Sequence, residues 1–252
     1  MAVEPPAGVD SRDQALHGQT LVVIGGSAGI GLATARLARH QGARVILTGR
    51  DPERLRTAAQ EADALSTAAF DAYDPVQLER FFQQLPGPID HVLVTAGGPS
   101  YGRLLDMDAE QARRALSDHM VLALEAARHC ADAVRAGGTL LLMGGTGARR
   151  IRAALGVAPA VTAAMPAFTA SLALELAPVR VNLLAAGFVD TPLSARLLGA
   201  GLDARREELR ATLPIGRVVV PEDVAALAVH IMANTALTGA TYDVDGGQQF
   251  VG

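Results

Sequence analysis

Thr20-Leu21-Val22-Val23-Ile24-Gly25-Gly26-Ser27-Ala28-Gly29-Ile30-Gly31 is the stretch whose reading decides the fold. Its first five residues form a short, almost wholly apolar run, as in a strand buried on both faces of a parallel sheet. The glycines follow at once, and a helical pattern runs from Ile30 to His40. In a strand–turn–helix context each glycine has a mechanical reason. Gly25 permits the tight turn, and Gly29 and Gly31 let a pyrophosphate and the strand approach the helix closely. The unpaired N–H groups at the helix start and the helix macrodipole favour negative charge. Gly25, Ser27, Ala28, Gly29, Ile30 and Gly31 are therefore expected to cradle the phosphates of a dinucleotide, and a ligand-free glycine turn is the plainer alternative.

Outward from this stretch, short apolar runs alternate with longer helical patterns. Further strands are expected over Ala43–Thr48, Ser66–Phe70, Ile89–Val94, Thr139–Met143, Val179–Leu184 and Thr241–Val244. Asp51-Pro52, Asp74-Pro75 and Pro221-Glu222-Asp223 are helix-start signals. A long amphipathic helix is expected from Asp108 to about Val134, ended by Gly137-Gly138. An apolar one is expected from Val157 to Leu176, disturbed by Pro159 and Pro166. Regular alternation of this kind predicts one α/β domain over residues 16–252. It is a Rossmann-type, doubly wound parallel sheet of about seven strands with helices on both faces. Residues 1–15 read as a flexible tail.

Composition narrows the function classes. Of 252 residues, 50% are hydrophobic, enough for a sizeable core. The net charge of −4 and the scattered arginines argue against nucleic acid as a partner. No apolar run reaches the ~18 residues that span a bilayer, and no membrane role is expected. The single cysteine, Cys130, permits no intrachain disulfide and suits a reducing, cytoplasmic setting; its helical context marks it as a small core residue. No metal site is expected.

The end of the second strand selects the nucleotide. NAD-binding folds place a carboxylate there to accept from the ribose 2′-hydroxyl. This chain has Gly49-Arg50. A guanidinium clasps a 2′-phosphate bidentately and no carboxylate repels it, so the cofactor expected is NADP(H), with Ser27 adding a hydroxyl. Asp71, just past the third strand, is placed to accept from the adenine amino group, or is simply a loop carboxylate. The small residues Ala96 and Gly97 let the backbone lie against the adenine ribose.

These residues resemble the short-chain dehydrogenase/reductase family, over about Leu16 to Gly247. The family's TGxxxGxG turn is read here as Ile24-Gly25 through Gly31, and its NNAG motif as Val94-Thr95-Ala96-Gly97. Its RVNxxxPG pattern corresponds to Arg180-Val181-Asn182-Leu183-Leu184-Ala185-Ala186-Gly187, with Ala186 in place of Pro. Pro221-Glu222-Asp223 and Val244-Asp245-Gly246-Gly247 extend the likeness. The resemblance implies that Gly187, Val189 and Thr191 meet the nicotinamide carboxamide and the phosphates. It also implies that residues 189–214 lid a pocket for a small-molecule substrate, and that the chain forms a homodimer or homotetramer.

The family's chemistry uses an Asn, Ser, Tyr and Lys tetrad. By neighbouring residues the Tyr position falls on Ala158, the Lys position on Thr162, the Ser position on Gly144 or Gly145, and the Asn position on His119. The chain contains no lysine anywhere. Two readings follow. One is an NADP(H)-dependent oxidoreductase with a substitute acid, for which Tyr101 or His119 is a candidate proton donor and Thr146 a replacement hydroxyl. In it Arg149, Arg150 or Arg152 binds an anionic substrate or faces solvent. The other is a catalytically silent NADP(H)-binding sensor or scaffold.

Overall fold

The computed structural model describes residues 14–251. Most of the tail expected over 1–15 lies outside the described residues. Seven strands are present: β1 (Thr20–Ile24), β2 (Arg44–Gly49), β3 (Ser66–Ala69), β4 (Ile89–Val94), β5 (Val134–Gly145), β6 (Arg180–Ala186) and β7 (Thr241–Val244). All pair in parallel, in the order β3-β2-β1-β4-β5-β6-β7. The chain builds outward from β1 to β3 and then returns to the centre for β4. The crevice between β1 and β4 is thus the topological switch point, where ligands of such sheets bind. This is the doubly wound sheet expected from the alternation.

Eight helices connect the strands: α1 (Gly29–His40), α2 (Pro52–Glu61), α3 (Pro75–Gln83), α4 (Ala109–Ala133), α5 (Ala158–Glu175), α6 (Pro192–Leu198), α7 (Leu202–Thr212) and α8 (Pro221–Ala233). The pleat divides the sheet between two cores. Val22 and Ile24 join the cluster under α3, α4 and α5, which contains Cys130. Leu21 and Val23 join the cluster under α1, α2 and α8. The Asp-Pro signals act as read: the Asp51 side chain accepts from the N–H groups of Glu53 and Arg54, and Asp74 does the same for Val76 and Gln77.

Two expectations change. Gly137-Gly138 does not end α4, which stops at Ala133. Val134 is already extended and pairs with Ile89, whereas His91 pairs with Thr139. The glycines form the bulge that absorbs this shift. Gly137 sits at φ +78°, and a Cβ on Gly138 would lie 2.3 Å from the Asp90 carbonyl oxygen. Secondly, α5 is one continuous helix. Pro159 occupies its first turn, where a missing N–H has no cost, and Pro166 removes one interior bond.

Two buried polar groups hold the end of the sheet remote from the switch point. One is Arg180, considered below. The other is His91, 2% exposed in β4. Its Nε2 meets the Gln19 side-chain oxygen at 2.5 Å, and its buried Nδ1 has no partner. Burial, opposed by Asp90 and helped by Arg180, pushes its pKa down to about 4. A depressed histidine binds fewer protons folded than unfolded. Stability is therefore fully present above the unfolded value, about 6.5, and is lost as pH falls toward 4, by about 3 kcal/mol in all. Urea titrations at pH 7 and pH 4.5 are expected to show this loss. They are expected to show a flatter dependence in His91→Leu, and equal slopes in both proteins would remove His91 as its source.

Candidate active site

The glycine turn is fixed from both flanks. The N–H groups of Gly25 and Gly26 donate to the Thr48 carbonyl, and those of Thr95 and Ala96 donate to Ile24. The Thr95 hydroxyl donates to the Gly25 carbonyl at 3.0 Å. The packing leaves no room for side chains. A Cβ on Gly25 would lie 2.6 Å from Ala96 N, and one on Gly31 2.5 Å from the Gly25 carbonyl oxygen. Ile30 packs against the core below.

How α1 begins matters for its ligand. α2 and α3 spend aspartates on their first N–H groups. The α1 cap is Ala28, which has no side-chain acceptor, and no acid lies in the first turn. Those donors stand at the switch point, with nothing from their own helix to satisfy them. The residues expected to meet the adenosine lie beside them. A Cβ on Gly49 would lie 3.2 Å from the Ser27 hydroxyl, which places that hydroxyl against Gly49-Arg50. Asp71 accepts from the Tyr73 N–H at 3.1 Å. Gly97, at φ +103°, is open to solvent and faces the Tyr73 hydroxyl.

The second half of the chain reaches the same crevice. Gly187 packs on Asp245 and Gln248 too tightly for a Cβ. Val189 bridges to Val219. Thr191 caps α6, accepting from the Ser194 N–H at 3.2 Å, and its methyl lies over Gly29. Leu193 packs on Gly98. The cofactor residues expected from sequence thus gather at the carboxyl ends of β1, β2, β3, β4 and β6. The glycine cradle, the uncapped helix start and the cation beside them suit a phosphorylated dinucleotide. Residues 189–214 form α6 and α7. Arg206 ties α7 back with a bidentate pair to Asp190 at 2.8 and 2.9 Å.

The three candidate catalytic side chains are differently placed. His119 Nε2 lies 2.6 Å from the Met143 carbonyl oxygen, so that nitrogen carries the hydrogen. The ring lines a small cavity with Ala96, Met143 and Met165. Thr146 is buried just past β5, its N–H donating to Ala186. Tyr101 lies in the outer loop, within the field of Arg205 on α7; burial raises its pKa and Arg205 opposes this. That loop is zipped to the one after β5 by the Gly102 N–H donating to Ala154. At the positions expected from sequence to correspond to the family's Tyr and Lys, Ala158 opens α5 and the Thr162 hydroxyl donates to the Pro159 carbonyl.

Arg149 is paired within the chain: Asp243 at β7 holds it bidentately at 3.1 and 3.2 Å. Sequence reading passed over Tyr73, whose only signal is its place two residues after Asp71. Among the described residues no group of three potential ligands is arranged for a metal ion, and no helix is long and apolar enough to cross a membrane.

Known proteins place this architecture. A family model described as enoyl-(acyl carrier protein) reductase matches residues 25–249. Dehydrogenase/reductase SDR family member 4 of Sus scrofa is 30% identical over 255 residues, covering 95% of this chain and 90% of that protein. The NADP-dependent (R)-specific alcohol dehydrogenase of Lentilactobacillus kefiri is 29% identical, covering 92% and 97%. Among solved structures, a small-chain dehydrogenase in complex with NADPH superposes with a TM-score of 0.79 at 29% identity, covering 92% of this chain and 99% of that one. The sheet order, the glycine cradle and these likenesses over nearly the whole length agree, and the chain belongs to the short-chain dehydrogenase/reductase family.

Proposed function

We propose that this protein is an NADP(H)-dependent oxidoreductase acting on a carbonyl or alcohol group of a small-molecule substrate. The observation that carries this reading is the uncapped, glycine-lined start of α1 at the switch point, with Ser27 and Arg50 at its adenosine side. The NADP and NADPH in the printed descriptions of two relatives support the choice of nucleotide. When bound, the cofactor supplies or accepts the hydride.

The chain's own residues do the rest. The α1 N–H groups and Thr191 hold the diphosphate, and Arg50 and Ser27 hold the 2′-phosphate. Asp71, Ala96 and Gly97 seat the adenosine, and Gly187 and Val189 position the nicotinamide. Reduction of a ketone also needs a proton at the carbonyl oxygen. With no lysine in the chain, and Ala158 and Thr162 at the family's Tyr and Lys positions, that proton comes from a non-standard donor, Tyr101 or His119. Thr146 steadies the oxygen. Tyr101 reaches the reaction protonated, as a donor must. His119 donates from Nδ1 only as the imidazolium, because Nε2 already carries its hydrogen to the Met143 carbonyl. Residues 189–214 act as the substrate lid of a single domain spanning 16–252. The protein works in the cytoplasm as a homodimer or homotetramer.

NADPH oxidation over a panel of ketones and aldehydes tests this. Turnover is expected on at least one substrate. Either Tyr101→Phe or His119→Ala is expected to lower kcat by about 100-fold or more, with NADPH affinity kept. Binding of NADPH with no turnover on any member of the panel would instead support the catalytically silent sensor or scaffold.

A further inference from the structure

We propose that Tyr73 is a cofactor-binding residue whose phenol closes the corner of the site that takes the adenosine ribose and its 2′-phosphate, between Gly97 and Arg50. This rests on the reading of the glycine turn and Arg50 as the NADP(H) seat. Its neighbours in sequence face inward: Ala72 is part of the core under α3, α4 and α5, and Phe70 packs against it. Tyr73 turns the other way. It is 38% exposed, and a Cβ on Gly97 would lie 2.3 Å from its hydroxyl. The glycine that leaves room for a ribose therefore has the phenol at its edge. The turn is held there by Asp71, whose carboxylate accepts from the Tyr73 N–H.

The charges around the ring define what it meets. Arg50, Asp71 and Asp118 all act on it. Burial and the two carboxylates raise the phenol's pKa against the opposing effect of Arg50, so the hydroxyl stays protonated and donates. A neutral donor beside a guanidinium suits a phosphate or sugar oxygen. The flat ring covers one side of the pocket without adding charge.

Equilibrium binding of NADPH and NADH to the full chain tests the assignment, followed by cofactor fluorescence or calorimetry. Tyr73→Phe is expected to raise the NADPH Kd about 10-fold or more, the loss of one hydrogen bond to a charged acceptor, and the NADH Kd about 2-fold or less. Tyr73→Ala is expected to weaken NADPH at least as much. Arg50→Ala is the control for the seat and should weaken NADPH selectively. If both Tyr73 variants bind NADPH as the parent does, or more tightly, while Arg50→Ala binds it more weakly, the assignment is wrong and the seat stands. If Arg50→Ala leaves both nucleotides unchanged, the seat is elsewhere and the assignment falls with it.

Discussion

Arg180→Ala is expected to destabilise the protein by about 4 kcal/mol, and Arg180→Lys by about half as much. Arg180 opens β6 and is 6% exposed. Its Nε donates to the Gly137 carbonyl at 3.0 Å and its Nη2 to Met232 at 2.8 Å. Its Nη1 donates to Ile231, Asn234 and Leu237 at 2.9 to 3.0 Å. Ile231 and Met232 lie in the last turn of α8 and Asn234 caps it, so the guanidinium fills the negative end of that helix. Five carbonyl dipoles and a helix terminus compensate the burial of a charge that has no carboxylate among these five partners. Alanine would take this donor from the Gly137, Ile231 and Met232 carbonyls in a dry setting, whereas Leu237 and Asn234 keep the Asn182 amide and the Leu237 N–H. Lysine keeps the charge but offers at most three donors from one nitrogen and cannot span five acceptors. Urea unfolding at pH 7 measures both losses. A loss below about 1 kcal/mol for the alanine variant would mean that water replaces the guanidinium freely.

Arg180 also shows where sequence reading succeeds and where it stops. Its place in the family pattern marked the start of β6, but nothing local showed that it gathers carbonyls from the end of α8, the loop after it and the β5 bulge. What was legible is what neighbours in sequence decide. β4 and β7 fall where the apolar runs put them, and α2 and α3 begin at Asp-Pro because cap and ring act within one turn. Gly137-Gly138 was misread because the same dipeptide ends a helix or bulges a strand. Only the register against β4 chooses between the two.

The site divides in the same way. The strand–turn–helix form of the glycine turn and the place of Arg50 after β2 were legible because these residues are contiguous with their strands. The approach of Tyr73 to Gly97 was not, because it depends on where the β3–α3 turn lies. Arg149 looked available because its partner, Asp243, is far along the chain. The proton donor is least legible. The chain contains no lysine, and a proton donor is defined by where a substrate sits.

Gly31→Ala carries the other large effect, a fall of at least about 100-fold in NADPH affinity, which corresponds to about 3 kcal/mol. A methyl group there would lie 2.5 Å from the Gly25 carbonyl oxygen and 2.6 Å from the Thr95 hydroxyl. The threonine can rotate away, at the cost of its own bond to Gly25. The Gly25 carbonyl cannot, because the Gly25 and Gly26 N–H groups are tied to Thr48 and the chain enters directly from β1. The start of α1 must therefore move off the strand end, taking with it the N–H groups that meet the phosphates. Overpacking of this kind costs about 1–3 kcal/mol of stability, so unfolding and binding need to be measured on the same variant. Gly201→Ala is the control, with φ at −81° and open space around it, and should change neither. Gly29→Ala separates strain from crowding. Its Cβ meets Thr191 and Pro192 at ordinary distances of 3.4 Å and more, but φ is +56°. It should lose about 1 kcal/mol to the backbone and hold NADPH better than Gly31→Ala does. If the two variants lost affinity equally, backbone conformation would limit the turn, and the close approach of helix to strand would not be what the cofactor requires.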